Sequence, residues 1–156
     1  CARTLLYSTA PAPPVVAAAL AALDLMEEQP RRIDKLHANA RALRDALARE
    51  GFGVAGTETQ IVPVIVGEGS TALRMCELAL EDGVFAQPIR PPAVPAGTAR
   101  LRLAVMASHT KAELRDAARV LARAALREGF RPGAGLPVAA AQTTDEWAAL
   151  PAAEAA

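Results

Sequence analysis

Little in this chain could cross-link it or hold a metal. It has two cysteines in 156 residues, Cys1 and Cys76, far apart and in no CxxC or other ligand spacing. That excludes a disulfide framework and a zinc site, and it fits a reducing, cytoplasmic compartment. An excess of charge of one sign is also lacking. Lysine plus arginine and aspartate plus glutamate number 17 each, so no whole-chain field draws the protein to nucleic acid or to a membrane surface, and neither is expected as a partner. There is no membrane-spanning run. The apolar stretch from Val15 to Met26 is about half the length a span requires, is interrupted by Asp24, and follows no basic leader.

The residues present describe a folded domain. The content is 52% hydrophobic, enough for one ordinary core at this length. The first residue is Cys and the chain begins within what reads as a structured segment, so a piece of a longer protein is expected. Arg3 to Ser8 reads as a short strand. Thr9 and the prolines at 11, 13 and 14 then open a helix to about Glu28, apolar on nearly all sides and therefore expected to be buried between layers. After Pro30, Ile33, Leu36, Ala40, Leu43 and Leu47 form the apolar stripe of a second helix that ends at Gly51, with Lys35 and His37 on its solvated side.

Phe52 to Val54 is a candidate edge strand, and Ile61 to Val66 a β-branched strand. Pro63 cannot donate to a ladder and places that strand at an edge. Ser70 is read as the cap of a helix to Asp82, with Leu73, Cys76, Leu78 and Leu80 supplying apolar surface and Gly83 closing it. Val84 to Ile89 is the next strand. Thr110 and Glu113 form a capping box for an amphipathic helix from Lys111 to Glu128 with Leu114, Ala118, Leu121 and Ala125 inward, and His109 is a turn residue. Residues 129–156 lose all periodicity and read as a flexible tail, with a short helix near Trp147. No internal repeat is found. The order gives an α+β fold, a small, largely antiparallel sheet with helices on one face. The units are 1–29 (an inter-domain or dimer segment with the buried helix), 30–128 (a small domain) and the tail.

Most of the functional signal lies in Gln87 to Thr110. Three prolines in Ile89-Arg90-Pro91-Pro92-Ala93-Val94-Pro95 forbid helix, and Gly97-Thr98 turns the chain. From Ala99 to Val105, Leu101, Leu103 and Val105 point one way and Arg100 and Arg102 the other. Two arginines on one strand face suit a carboxylate or phosphate, because the planar guanidinium fork matches such anions bidentately. A solvated sheet face produces the same pattern.

The string IRPPAVPAGTARLRL with its ASHT turn, and separately RTLLYSTA near the start, resemble the C-terminal domain of the α-oxoamine synthase family of fold-type I pyridoxal-phosphate (PLP) enzymes. The Arg-Pro-Pro triplet is closest to its 8-amino-7-oxononanoate synthase branch. The resemblance covers roughly Ala2 to Glu128. It implies an acyltransferase that condenses L-alanine with a pimeloyl thioester of coenzyme A or acyl carrier protein, with decarboxylation, in biotin synthesis, as a cytoplasmic homodimer. It implies that Arg102 binds the amino-acid carboxylate, with Arg100 supporting or at the surface, and that Arg90 lines the acyl entrance or braces its loop. Ala93 stands where the family usually has a substrate-contacting threonine. Ser8 and Thr9 match hydroxyls that reach the cofactor phosphate across the dimer, although helix capping is an equally ordinary role for them.

Neither Lys35 nor Lys111 has the context of the family's cofactor lysine. No catalytic residue and no metal site is therefore assigned here, PLP is expected to be bound mainly by a preceding region, and the chain alone is expected to be inactive. A sibling synthase with another acyl donor or amino acid, a stand-alone binding module and a domain without a site remain open.

Overall fold

The computed structural model describes residues 10–54 and 58–133. The expected strand at Arg3 to Ser8, the hydroxyls of Ser8 and Thr9, and the helix near Trp147 lie outside the described residues. Four helices and three strands follow in the order α1 (Pro13–Glu28), α2 (Arg31–Arg49), β1 (Ile61–Gly67), α3 (Gly69–Glu81), β2 (Gln87–Ile89), β3 (Ala99–Ala104) and α4 (Lys111–Arg127). The architecture is α+β, as the sequence implied.

The sheet is antiparallel with β3 in the centre, in the order β1-β3-β2. The Val105 N–H donates to the Gln60 carbonyl at 3.0 Å, which sets the phase of the ladder. Val62 and Val64 then exchange bonds with Leu103 and Leu101, while Pro63, opposite Arg102, turns its donor-less nitrogen to the outer edge. The same alternation gives Arg100 and Arg102 their bonds to Ile89 and Gln87 and leaves Pro88, opposite Leu101, facing outward from the other edge. The expected strand from Val84 shrinks to Gln87–Ile89 because Phe85 points into solvent, 78% exposed. Of Phe52 to Val54, only Val54 makes a bridge, to Val64.

One face of the sheet is covered. α3 crosses all three strands, α2 lies beside β1, and α4 packs on both α2 and α3. Val62, Val64, Leu101 and Leu103 meet Leu43, Leu47, Met75 and Leu121 in a single apolar core. Each of these three helices ends in the same way. A glycine at positive φ (Gly51, Gly83, Gly129) is followed by an apolar residue whose N–H returns to the helix: Phe52 to Leu47, Val84 to Ala79, Phe130 to Ala125. Such a stop satisfies orphan carbonyls and folds the apolar residue back onto the core. Phe130 does this at the start of the expected tail, and Pro132 comes to 3.4 Å from where a Cβ on Gly51 would sit. Residues 129–133 are therefore part of the packed domain, a correction to the boundary read from composition.

Two further expectations are corrected. Ser70 does not cap α3. Glu68 is the N-cap residue, without a side-chain bond, and Ser70 falls inside the first turn. The inward stripe of that helix is Ala72, Met75, Cys76, Leu78 and Ala79, which leaves Leu73 and Leu80 exposed. Helix α1, expected to be buried, begins with prolines in its first turn as read, but none of its residues is buried and Leu20 and Leu23 are more than half exposed. Among the described residues, no other element covers it.

Candidate functional site

The open face of the sheet carries Pro63 and Ile65 from β1, Arg100, Arg102 and Ala104 from β3, and Gln87 and Ile89 from β2, aligned by the strand register. The two arginines differ in what holds them. Arg100 is half-buried and tied back to its own turn, Nε donating to the Thr98 carbonyl at 3.1 Å and Nη2 to its hydroxyl at 3.3 Å. Thr98 is itself fixed by its hydroxyl and N–H donating to the Pro95 carbonyl at 2.8 and 3.2 Å. Arg102 is exposed and, among the described residues, makes a single long side-chain bond, Nη1 to Gln87 Oε1 at 3.4 Å. Its neighbours across the register, Pro63 and Gln87, carry no charge. The guanidinium of Arg102 therefore keeps most of its five donors available for an incoming anion.

Arg90 and Ala93 belong to the β2–β3 connection, residues 90–98, in a turn closed by the Ala93 N–H donating to the Arg90 carbonyl at 3.1 Å. The side chain of Arg90 runs past the start of α3, its Cβ 3.4 Å from where a Cβ on Gly69 would lie. It thus sits beside the helix that covers the opposite face from Arg102, and the two share no hydrogen bond. Both side chains are exposed. Arg100 and Arg102 are brought together by one strand, Arg90 and Ala93 by one turn, and Ser8 and Thr9 lie outside the described residues.

A cleft of about 570 Å³ lies elsewhere, lined by Leu43, Phe85, Met106, His109 and Leu114 among others, and none of the sequence-derived site residues borders it. His109 there is a turn residue, as expected, its Nδ1 accepting the Met106 N–H at 3.2 Å. The turn is held from below by Asn39, the one buried polar side chain described, whose Nδ2 donates to the Met106 and His109 carbonyls at 3.1 and 2.8 Å. The sequence reading missed Asn39, although an amide on the stripe between Leu36 and Leu43 is a visible break in an apolar pattern. It also missed Gln87 and Thr98, whose roles depend on pairing between strands.

Thr110 and Glu113 form the expected capping box, and the Thr110 N–H and hydroxyl hold the Glu113 carboxyl below its ordinary range. Burial pushes the Cys76 thiol up to about 11, which suits packing and not nucleophilic chemistry. Among the described residues there is no group of metal-binding side chains and no helix long and apolar enough to cross a membrane. Lys35 and Lys111 are both exposed, on α2 and in the first turn of α4. No lysine stands on the open sheet face, so the described residues do not by themselves fit a covalently held PLP.

The model of aminotransferase class I and II matches residues 1–121. The 8-amino-7-oxononanoate synthase of Citrifermentans bemidjiense is 43% identical over 122 residues, which are 77% of this chain and 31% of that protein. That of Symbiobacterium thermophilum is 45% identical over 121 residues, 78% of this chain and 31% of that protein. A solved structure of SPT, a serine palmitoyltransferase, with PLP superposes with a TM-score of 0.73 at 30% identity, over 80% of this chain and 32% of that one. The chain spans about a third of the length of the curated relatives it matches. The fold of that span is shared with SPT, and the chain belongs to the aminotransferase class I and II family.

Proposed function

We propose that the open sheet face is the carboxylate-binding part of a PLP-dependent α-oxoamine synthase, with L-alanine and a pimeloyl thioester as substrates and 8-amino-7-oxononanoate as product. The observation that carries this reading is the contrast between the two arginines, since Arg102 presents nearly free donors beside the uncharged Pro63 and Gln87 while Arg100 is committed to Thr98. The names and identities of the relatives support the reaction class. In this reading Arg102 fixes the amino acid by its carboxylate, Arg90 and Ala93 border the path of the acyl chain, and Ser8 and Thr9 contact the cofactor phosphate in the partner of a cytoplasmic homodimer. PLP, when bound, supplies an electron sink for a carbanion at the amino-acid α-carbon. With Lys35 and Lys111 on the helix layer, the 156 residues alone do not catalyse condensation.

The test is kinetic. In the catalytically active protein, Arg102→Ala raises the KM for alanine steeply and Arg100→Ala raises it only slightly. Equal effects of the two substitutions sink the assignment. A second reading, a sibling synthase with another acyl donor or amino acid, draws on Ala93 in place of the usual threonine and on the likeness to SPT. A product assay with varied thioesters and amino acids separates the two.

A further inference from the structure

Basic side chains are distributed unevenly over the helix layer. On the side where α3 meets α4, Arg123 pairs with Asp82 at 3.1 Å and Arg127 with Glu81 at 2.9 Å. Arg74 and Arg119 pair with Glu77 and Asp116 of their own helices at 3.0 and 2.6 Å. On the side where α2 meets α4, the side chains of Arg41, Arg49, Lys111 and Arg115 make no hydrogen bond or ion pair among the described residues. Yet these four cations line one open cleft of about 570 Å³ with Asp45 as its only carboxylate. In a chain of zero net charge this is a local excess of positive charge, four cations against one carboxylate, that Asp45 offsets only in part.

The cleft has direction as well as sign. Asn39 of α2 bonds to the turn that precedes α4, and Gly51 after α2 meets Pro132 after α4, so the two walls run parallel. Ala38, Ala42, Asp45 and Arg49 follow one another at helical spacing and form a single stripe, roughly 16 Å long at 1.5 Å per residue. Alanine at 38 and 42 leaves the floor recessed between cationic rims.

We propose that this groove docks an acidic α-helical segment of another protein, laid along α2 and α4 with its carboxylates against Arg41, Arg49, Lys111 and Arg115. Charge complementarity selects an acidic partner, and the recess of three turns selects a helix. No hydrogen-bond network holds the four cations in place as a small-phosphate site would require, and no aromatic side chain lines the cleft to stack a base. The inference is independent of the reaction assigned above.

The experiment measures the fluorescence anisotropy of a labelled synthetic helical peptide, with glutamate at each i, i+4 position, titrated with the full chain at low salt. Saturable binding is expected, weakening as salt rises. It should weaken by about tenfold in the Arg41→Gln/Arg115→Gln variant and stay unchanged in the Arg123→Gln/Arg127→Gln variant; circular dichroism checks that both fold. Equal loss in both variants, or loss in neither, overturns the proposal. So does equally tight binding of a proline-interrupted peptide of the same composition, displacement of the peptide by stoichiometric inorganic pyrophosphate, or tighter binding of a single-stranded RNA oligonucleotide.

Discussion

The two faces of the same three strands are built for opposite ends. On the covered face, Val62, Val64, Leu101 and Leu103 are almost wholly removed from water and interlock with three helices. On the open face, Pro63, Arg102 and Gln87 lie side by side with one long hydrogen bond among them. A single alternation along β3 assigns each residue to the core or to the open face. Rigidity is supplied by one face and used by the other, because a guanidinium on a strand backed by a dry core is better fixed than one on a loop.

The contrast is sharpest for adjacent residues. Leu101→Ala empties a fully buried site and is expected to cost about 3 kcal/mol of stability, whereas Arg102→Ala costs less than about 0.5 kcal/mol, as surface substitutions do. Urea unfolding of the two variants measures the difference, and comparable losses would erase the division between faces. In the active protein the ranking reverses. Arg102→Ala is expected to raise the alanine KM about 100-fold, the loss of a charged, hydrogen-bonded pair, with Arg100→Ala within a few-fold.

Next in size is Asn39→Ala, which leaves the Met106 and His109 carbonyls without their shared buried donor, at about 2 kcal/mol, read from the denaturant midpoint. The smallest effect belongs to the helix cap, where Thr110→Ala costs about 1 kcal/mol. Its partner adds a pH signature. Glu113 is held below its ordinary value in the fold, so the unfolded chain takes up its proton first as pH falls. The stabilisation is therefore present above the ordinary carboxylate value and disappears as pH drops through the folded one. Glu113→Gln should thus lower the unfolding midpoint at neutral pH and match the parent in acid. A constant difference at all pH values would show that the carboxylate charge is not what caps α4.

What was legible followed from local chemistry. The glycine stops at Gly51 and Gly83, the capping box, the stripes of α2 and α4, and the edge position implied by Pro63 each depend on residues within a few positions of one another, so periodicity and turn chemistry suffice to place them. Ser70 misled because serine beside a glycine resembles a cap, while the backbone placed the boundary at Glu68. Phe85 looked like strand because it is aromatic, and no neighbour in the sheet receives it. The pairing of Arg102 with Gln87 and the anchoring of Arg100 at Thr98, which together distinguish the two arginines, arise from register and turn geometry. A linear sequence does not contain either until the strands are aligned. Helix α1 reads as an interior helix by composition, yet composition says nothing about what covers it.

The two outward-facing prolines have a consequence for assembly. Each rim of the sheet lacks a donor at the point where an added strand would need one, at Pro63 on one side and Pro88 on the other. A neighbouring chain cannot continue this ladder without a gap in its bonding. Extension of the described sheet into an amyloid-like ribbon is therefore disfavoured at both rims, and on the β1 side the bridge from Val54 to Val64 already occupies part of the edge.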